Sequence, residues 1–238
     1  MLLKPNDFVA ENLVEISDFR FEHIKKILKP KIGDTLKTGI SNGKIGTGKI
    51  TKIDEESVNL EILLDKEPPP ANPSILFCAL PRPKVFRRVL LDAVCFGVKE
   101  IHFFQAFKVE KSYWQSPFLS RDSINETVEN ALMQAVDTIL PEICFHRLFK
   151  NFVEDVFAEK AQNFPCFVFH PTTEFLRKFD CNSKKQGFVI GSEGGFTDYE
   201  IGMFVKNNAK TASLGGRILR VEQAVCSVLG LNYSGNLQ

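Results

Sequence analysis

Apolar residues follow two different rhythms along this chain. In the first third they alternate with polar ones. Thr35 to Ile40, Ile45 to Ile53 and Val58 to Leu63 read as strands separated by the turn signals Ser41-Asn42-Gly43-Lys44 and Asp54-Glu55-Glu56-Ser57. Ahead of them, Asp18 to Leu28 carries apolar residues at 21, 24, 27 and 28, a short helical face stopped by Pro30. From Ser74 the rhythm changes to short, near-continuous apolar runs: Ile75 to Leu80, Ile101 to Phe104, Ile143 to Phe145, Cys166 to Phe169, Gly187 to Ile190 and Thr211 to Leu214. Runs of that kind suit a parallel sheet covered on both faces. Helical patterns fall between them, near 84–97, 121–138, 150–161, 172–179, 197–208 and 218–231, and Thr197-Asp198-Tyr199-Glu200 is a capping box opening the fifth. The expectation is a small β-rich domain over residues 1–70 followed by an α/β domain over 71–238. The proline-rich stretch Glu67 to Pro73 is expected to join them as an extended, semi-rigid linker.

Composition narrows the class. The chain has 238 residues, 44% apolar and 25% charged, as in ordinary globular proteins. No apolar run approaches a bilayer span, and the start lacks the apolar core of a signal peptide, so a cytoplasmic location is expected. Six cysteines without a Cys-x-x-Cys pair read as reduced thiols rather than disulfides or metal ligands, and no metal is expected. Net charge is only +1, yet Arg20 to Lys52 carries nine basic residues against two acidic ones. Such a local excess is the footprint expected of phosphate contact, or else a solvated face.

Two glycine-rich stretches stand just past the last two predicted strands: Gly191-Ser192-Glu193-Gly194-Gly195-Phe196 and Leu214-Gly215-Gly216-Arg217-Ile218-Leu219-Arg220-Val221-Glu222. Adjacent glycines permit positive φ and close approach of backbone to a ligand. Neither is a phosphate cradle. No Lys-Ser/Thr follows the glycines, and the loop after the first α/β strand reads Pro81-Arg82-Pro83-Lys84 where a Rossmann fold would carry its glycines. Backbone-rich loops without a phosphate grip suit a nucleoside or amino-acid-like ligand.

These stretches resemble the I-G-P-E-G-G-[FLW] and L-G-x-R-[IV]-L-R-x-E-T-A motifs of RsmE-like enzymes, the ribosomal RNA small subunit methyltransferase E family of the SPOUT superfamily. The N-terminal family signature His-x-x-x-Val-Leu-Arg-x-x-x-Gly-Asp is met by His23, Ile27-Leu28-Lys29 and Gly33-Asp34. The resemblance implies a PUA-like β-barrel before a knotted, mostly parallel α/β domain. It implies S-adenosylmethionine as cofactor, held by the loops Phe169-His170-Pro171, Ile190 to Gly195 and Leu214 to Arg220. Gly191, Glu193, Gly194, Gly195 and Gly215 would bring backbone close, and Ile190, Leu214, Ile218 and Leu219 would enclose the adenine. It also implies methylation of N3 of a uridine in small-subunit ribosomal RNA, with Arg220 stabilising charge on the uracil. Glu222 and Glu193 would serve as base, orient Arg220, or simply hold the loops. Arg20, His23, Lys25, Lys26, Lys29, Arg82, Lys84, Arg87 and Arg88 are the expected RNA contacts. The family further implies a homodimer, for which the apolar residues Val221, Ala224, Val225, Val228 and Leu229 offer a face. The alternatives are action on another RNA nucleotide, such as a transfer RNA ribose 2′-oxygen, and a non-catalytic RNA-binding paralogue. Four positions depart from the family pattern: Lys29 and Asp137 stand for arginine, Ser192 for proline and Gln223 for threonine.

Overall fold

The computed structural model describes residues 1–171 and 185–234. It divides into two compact units, residues 1–70 with 132–140, and 71–131 with 141–238. The expected helix at 172–179 lies outside the described residues.

The first unit is built on β1 (Leu2–Leu3), β2 (Phe8–Ala10), β3 (Leu13–Ile16), β4 (Thr35–Ile40), β5 (Ile45–Ile53) and β6 (Val58–Lys66). They form one sheet in the order β1-β4-β5-β6-β3-β2, antiparallel except where β1 joins β4. Two register shifts in the β5–β6 pair bend it. The sheet is an open half-barrel, with β1 and β2 at its edges. Alternation decides the core: Val58, Leu60 and Ile62 are buried, together with Leu3, Val14, Ile16, Phe21, Ile24 and Ile50. The sequence reading missed β1 to β3, which are too short to show a period.

Helix α1 (Phe19–His23) runs into a π-helical turn at Ile24–Leu28. The wider turn breaks the expected apolar face, so Ile27 and Leu28 are exposed while Phe21 and Ile24 are buried. Arg20 requires a correction. Its side chain is 6% exposed and turned inward, with Nη1 and Nη2 each 2.7 Å from Asp7, Nε 2.9 Å from Asp18 and Nη1 donating to Leu2 O. It joins the N-terminal strand to α1 and is not an exposed phosphate contact.

Residues 137–140 pack within this unit on the β4–β5 turn. Asn42 N–H donates to Thr138 O at 2.8 Å, Leu140 N–H donates to Asn42 Oδ1 at 2.9 Å, and the Thr138 hydroxyl donates to Gly43 O. Asp137, where the family has arginine, is buried and accepts from the backbone of Thr138 and Ile139. A carboxylate serves that turn directly, because both neighbouring N–H groups point at it.

The second unit contains β7 (Asn72–Ala79), α2 (Pro83–Cys95), β8 (Val98–Phe104), α3 (Arg121–Ala135, its last residues counted with the first unit) and β9 (Glu142–His146). It continues with α4 (Phe149–Asn151), a π-helical stretch Phe152–Phe157, α5 (Ala158–Asn163), β10 (Cys166–Phe169), β11 (Gln186–Ile190), α6 (Asp198–Lys206), β12 (Ala209–Ala212) and α7 (Val221–Ser234). All six strands are parallel, in the order β12-β10-β11-β7-β8-β9. Asn72 and Pro73, read as linker, open β7 instead. A register shift at that point lets a central strand accommodate proline, which has no N–H to give.

Phenylalanines fill one layer of this unit. Phe104 stacks on Phe152 at 4.6 Å, and Phe157 meets Phe204 edge-on at 4.9 Å. Burying each ring contributes on the order of 2–3 kcal/mol. Helix α7 packs on α2, β7 and β11, and Asn232 Nδ2 donates to Ser74 Oγ at 2.8 Å. Val221, Val225, Val228 and Leu229 are thereby buried within their own unit. Of the apolar face offered for a homodimer only Ala224 stays half-buried, so within this unit the face is mostly spent on its own packing.

Candidate active site

The strand order places the ends of β10, β11, β12 and β7 side by side. In an open parallel sheet the loops leaving the carboxyl ends of neighbouring strands form the natural crevice. Here they surround a cavity of about 730 Å³. Phe169, His170, Ile190, Gly191, Glu193, Gly194, Gly195, Leu214, Gly215, Ile218, Leu219 and Arg220 all line it. Arg82, Arg88 and Glu222 line it as well, whereas Lys84 and Arg87 lie exposed on α2 outside the wall.

The loop after β11 is a tight turn in which Gly195 N–H donates to Ser192 O at 2.8 Å. Gly195 has φ +67°, a conformation that favours glycine, and a Cβ there would meet no protein atom within 4 Å. A Cβ on Gly191 would come within 3.2 Å of the Gly195 Cα, so the two ends of the turn lie back to back. Phe196 anchors the turn, buried and parallel to Phe104 at 6.2 Å. Thr197 and Glu200 then form the expected capping box.

The loop after β12 is shaped by Gly215, at φ +110°, and by Ser213, whose Oγ accepts from Gly215 N–H at 3.3 Å. It ends where Arg220 N–H donates to Gln223 Oε1 at 3.1 Å, just ahead of α7. Gln223, the departure from threonine, thus reaches back to the helix start as the glutamine of a capping box does. The loop after β10 is fixed by His170 N–H donating to Ala212 O at 3.0 Å.

The charged groups differ in their freedom. Glu193 Oε1 accepts the backbone N–H of Arg82 at 3.0 Å, tying the glycine turn to the loop after β7. Glu222, 17% exposed, sits 3.6 Å from Arg88. The Arg220 side chain is exposed and has no ion pair among the described residues. Ile218 is 88% exposed, so its apolar surface stands open at the rim. Five basic side chains line the cavity, Arg82, Arg88, Lys108, Arg217 and Arg220, against the carboxylates of Glu193 and Glu222. That balance favours ligands with anionic groups.

Sequence reasoning missed Lys108 and Glu200 as site-building residues. Lys108 Nζ donates to Gly194 O at 2.8 Å, and buried Glu200 accepts Phe107 N–H at 2.6 Å. No spacing rule exposes a lysine whose partner is a distant carbonyl. The capping box did mark Glu200, but only for its helix.

In the first unit Lys25, Lys26 and Lys29 are exposed. Lys25 Nζ donates to Glu55 O at 2.9 Å and Lys26 pairs with Glu22 at 2.6 Å. His23 lies in α1; its side chain is outside what the structure describes.

A family model for the RNA methyltransferase domain matches residues 67–232. The chain belongs to the RNA methyltransferase family. Among relatives of this family, it is 28% identical over 219 residues to the ribosomal RNA small subunit methyltransferase E of Treponema pallidum, covering 90% of this chain and 82% of that one. It is 27% identical over 225 residues to the ribosomal RNA small subunit methyltransferase E 1 of Borreliella burgdorferi, covering 94% and 92%. Its fold matches that of a ribosomal RNA small subunit methyltransferase E from Neisseria gonorrhoeae bound to S-adenosyl methionine, at TM-score 0.75 and 16% identity, covering 96% and 94%. A Legionella pneumophila protein solved with bound SAM matches at TM-score 0.75 and 20% identity, covering 98% and 96%.

Proposed function

We propose that this RNA methyltransferase uses S-adenosylmethionine to methylate N3 of a uridine in small-subunit ribosomal RNA. The observation that carries the reading is the convergence of three strand-end loops on one cavity with Arg220 and Glu222 in its wall. The cavity fits the cofactor in kind: glycine backbone at Gly195, where an added Cβ would meet no protein atom, for close approach, apolar Ile190, Leu214 and Leu219 for a purine, and basic side chains for a carboxylate. When bound, S-adenosylmethionine would supply a methyl group activated by its sulfonium.

The chain's own residues account for the rest. N3 lies on the Watson–Crick edge, so the uridine must enter unpaired. Arg220, free of an ion pair among the described residues, is assigned to the negative charge that develops on the uracil oxygens. Glu222 is the carboxylate assigned to receive the N3 proton, held in place by Arg88. Glu193 is assigned a holding role, since its carboxylate already serves the Arg82 N–H.

The finer parts of the reading are a PUA-like barrel contacting RNA through Lys25, Lys26 and Lys29, a trefoil knot, and work in the cytoplasm on ribosomal particles. Support for the knot is the return of the chain from the edge strand β12 to α7 beneath β7 and β11, within residues 213–220. Among the described residues no helix is long and apolar enough to cross a membrane.

Calorimetry with S-adenosylmethionine tests the cofactor assignment. Wild type is expected to bind without RNA. Gly195→Val, which forces a branched side chain into a positive-φ conformation beside the cavity, is expected to lose affinity at least about tenfold. A variant binding like wild type would show that the glycine turn does not hold the ligand.

A further inference from the structure

The turn over the cavity contains two successive glycines, Gly194 and Gly195. A peptide between glycines meets little steric resistance to flipping. Both ends of this one are tied. Gly195 N–H donates to Ser192 O at 2.8 Å. On the opposite side of the same peptide, Gly194 O accepts from Lys108 Nζ at 2.8 Å. The ammonium is also 3.5 Å from Phe196 O. The Lys108 stem packs on the turn, since a Cβ at Gly194 would stand 2.9 Å from the Lys108 Cβ.

Lys108 acts from a firm base. Gln105 Nε2 donates to Ala106 O at 2.7 Å and to Val109 O at 2.9 Å, and Trp114 Nε1 donates to Gln105 Oε1 at 2.5 Å. Glu200 holds Phe107 N–H from the start of α6, the helix that follows the glycine turn. The segment after β8 is therefore fastened to the turn directly through Lys108 and to the helix behind it through Glu200.

We propose that Lys108 is a positioning residue. Its ammonium selects one orientation of the Gly194–Gly195 peptide and so sets the affinity of the cavity for an adenosyl ligand. Only the last step rests on the cofactor reading. A charged donor to a carbonyl is stronger than a neutral one, and the lysine holds the carbonyl side of a peptide whose N–H side is held by Ser192 O.

The test compares wild type, Lys108→Met, which keeps the stem and removes the ammonium, and Lys108→Arg. Amide exchange at Gly195 is followed by NMR in ligand-free protein, and S-adenosylhomocysteine binding by calorimetry. In Lys108→Met, Gly195 is expected to exchange at least about tenfold faster while Phe188 to Ile190 keep their rates. Affinity is expected to fall at least about tenfold without loss of melting temperature, and Lys108→Arg is expected to restore both readouts. An unchanged Gly195 rate in Lys108→Met overturns the proposal, whatever the ligand does. Faster exchange with undiminished affinity overturns the link to binding. Faster exchange in a protein whose wild type binds no S-adenosylhomocysteine upholds the restraint and rejects the cofactor reading.

Discussion

Arg220 stands where two requirements meet. Its backbone starts α7 through Gln223, and its guanidinium is exposed at the cavity wall. Replacing it with alanine leaves the backbone bond intact and removes one charge-stabilising donor. Turnover is expected to drop about 10²-fold, with the melting temperature and cofactor affinity close to wild type. Single-turnover methylation on small-subunit particles measures this, and a loss under about threefold would remove Arg220 from the chemistry. The two glycine loops were legible in the sequence because both stand at strand ends, whereas Arg220 and Glu193 were picked out by resemblance to the family motifs; all of them line one cavity. Arg20 was misread because a count of local charge cannot see Asp7, 13 residues upstream, folding back onto it. Lys108 was invisible for a similar reason, its carbonyl partner lying 86 residues away.

At the scale of elements, continuous apolar runs translated well into parallel strands, since both faces of that sheet are covered. Boundaries moved where local chemistry overrode the pattern. Helix α7 starts at Val221 rather than at 218, because residues 218–220 belong to the loop that Gln223 closes. The pairing of β8 with β9 also created something no periodicity shows. His102 Nδ1 and His146 Nε2 lie 2.9 Å apart with their rings stacked at 5.2 Å, and His102 Nε2 bonds Glu100, itself paired with Lys160. Burial lowers His102 despite Glu100, and burial together with His102 pushes His146 down to about 4. Unfolded histidines titrate near 6.5, so below that pH the unfolded chain binds more protons than the folded one. This contribution is intact above about pH 6.5 and is lost as the pH falls toward 4. Urea unfolding is expected to show a falling midpoint between pH 7 and 5, reduced in His146→Phe. An identical pH dependence in the variant would rule the pair out as its source.

Across the whole molecule, labour is expected to divide between the units, with exposed lysines for RNA in the first and chemistry in the second. Replacing Lys25, Lys26 and Lys29 with alanine is expected to weaken RNA binding and flatten its salt dependence by about one counterion per lost phosphate contact, with cofactor affinity unchanged. Filter binding across a salt series decides, and a wild-type slope would make these lysines a solvated face. The reaction itself can be measured. Its most direct test incubates the purified protein and S-adenosylmethionine with small ribosomal subunits from cells lacking the gene, followed by mass spectrometry of the rRNA nucleosides. 3-Methyluridine is expected to approach one per particle and to be absent with Arg220→Ala at the same time point. A methyl group on ribose or on another base, or none at all, would contradict that expectation.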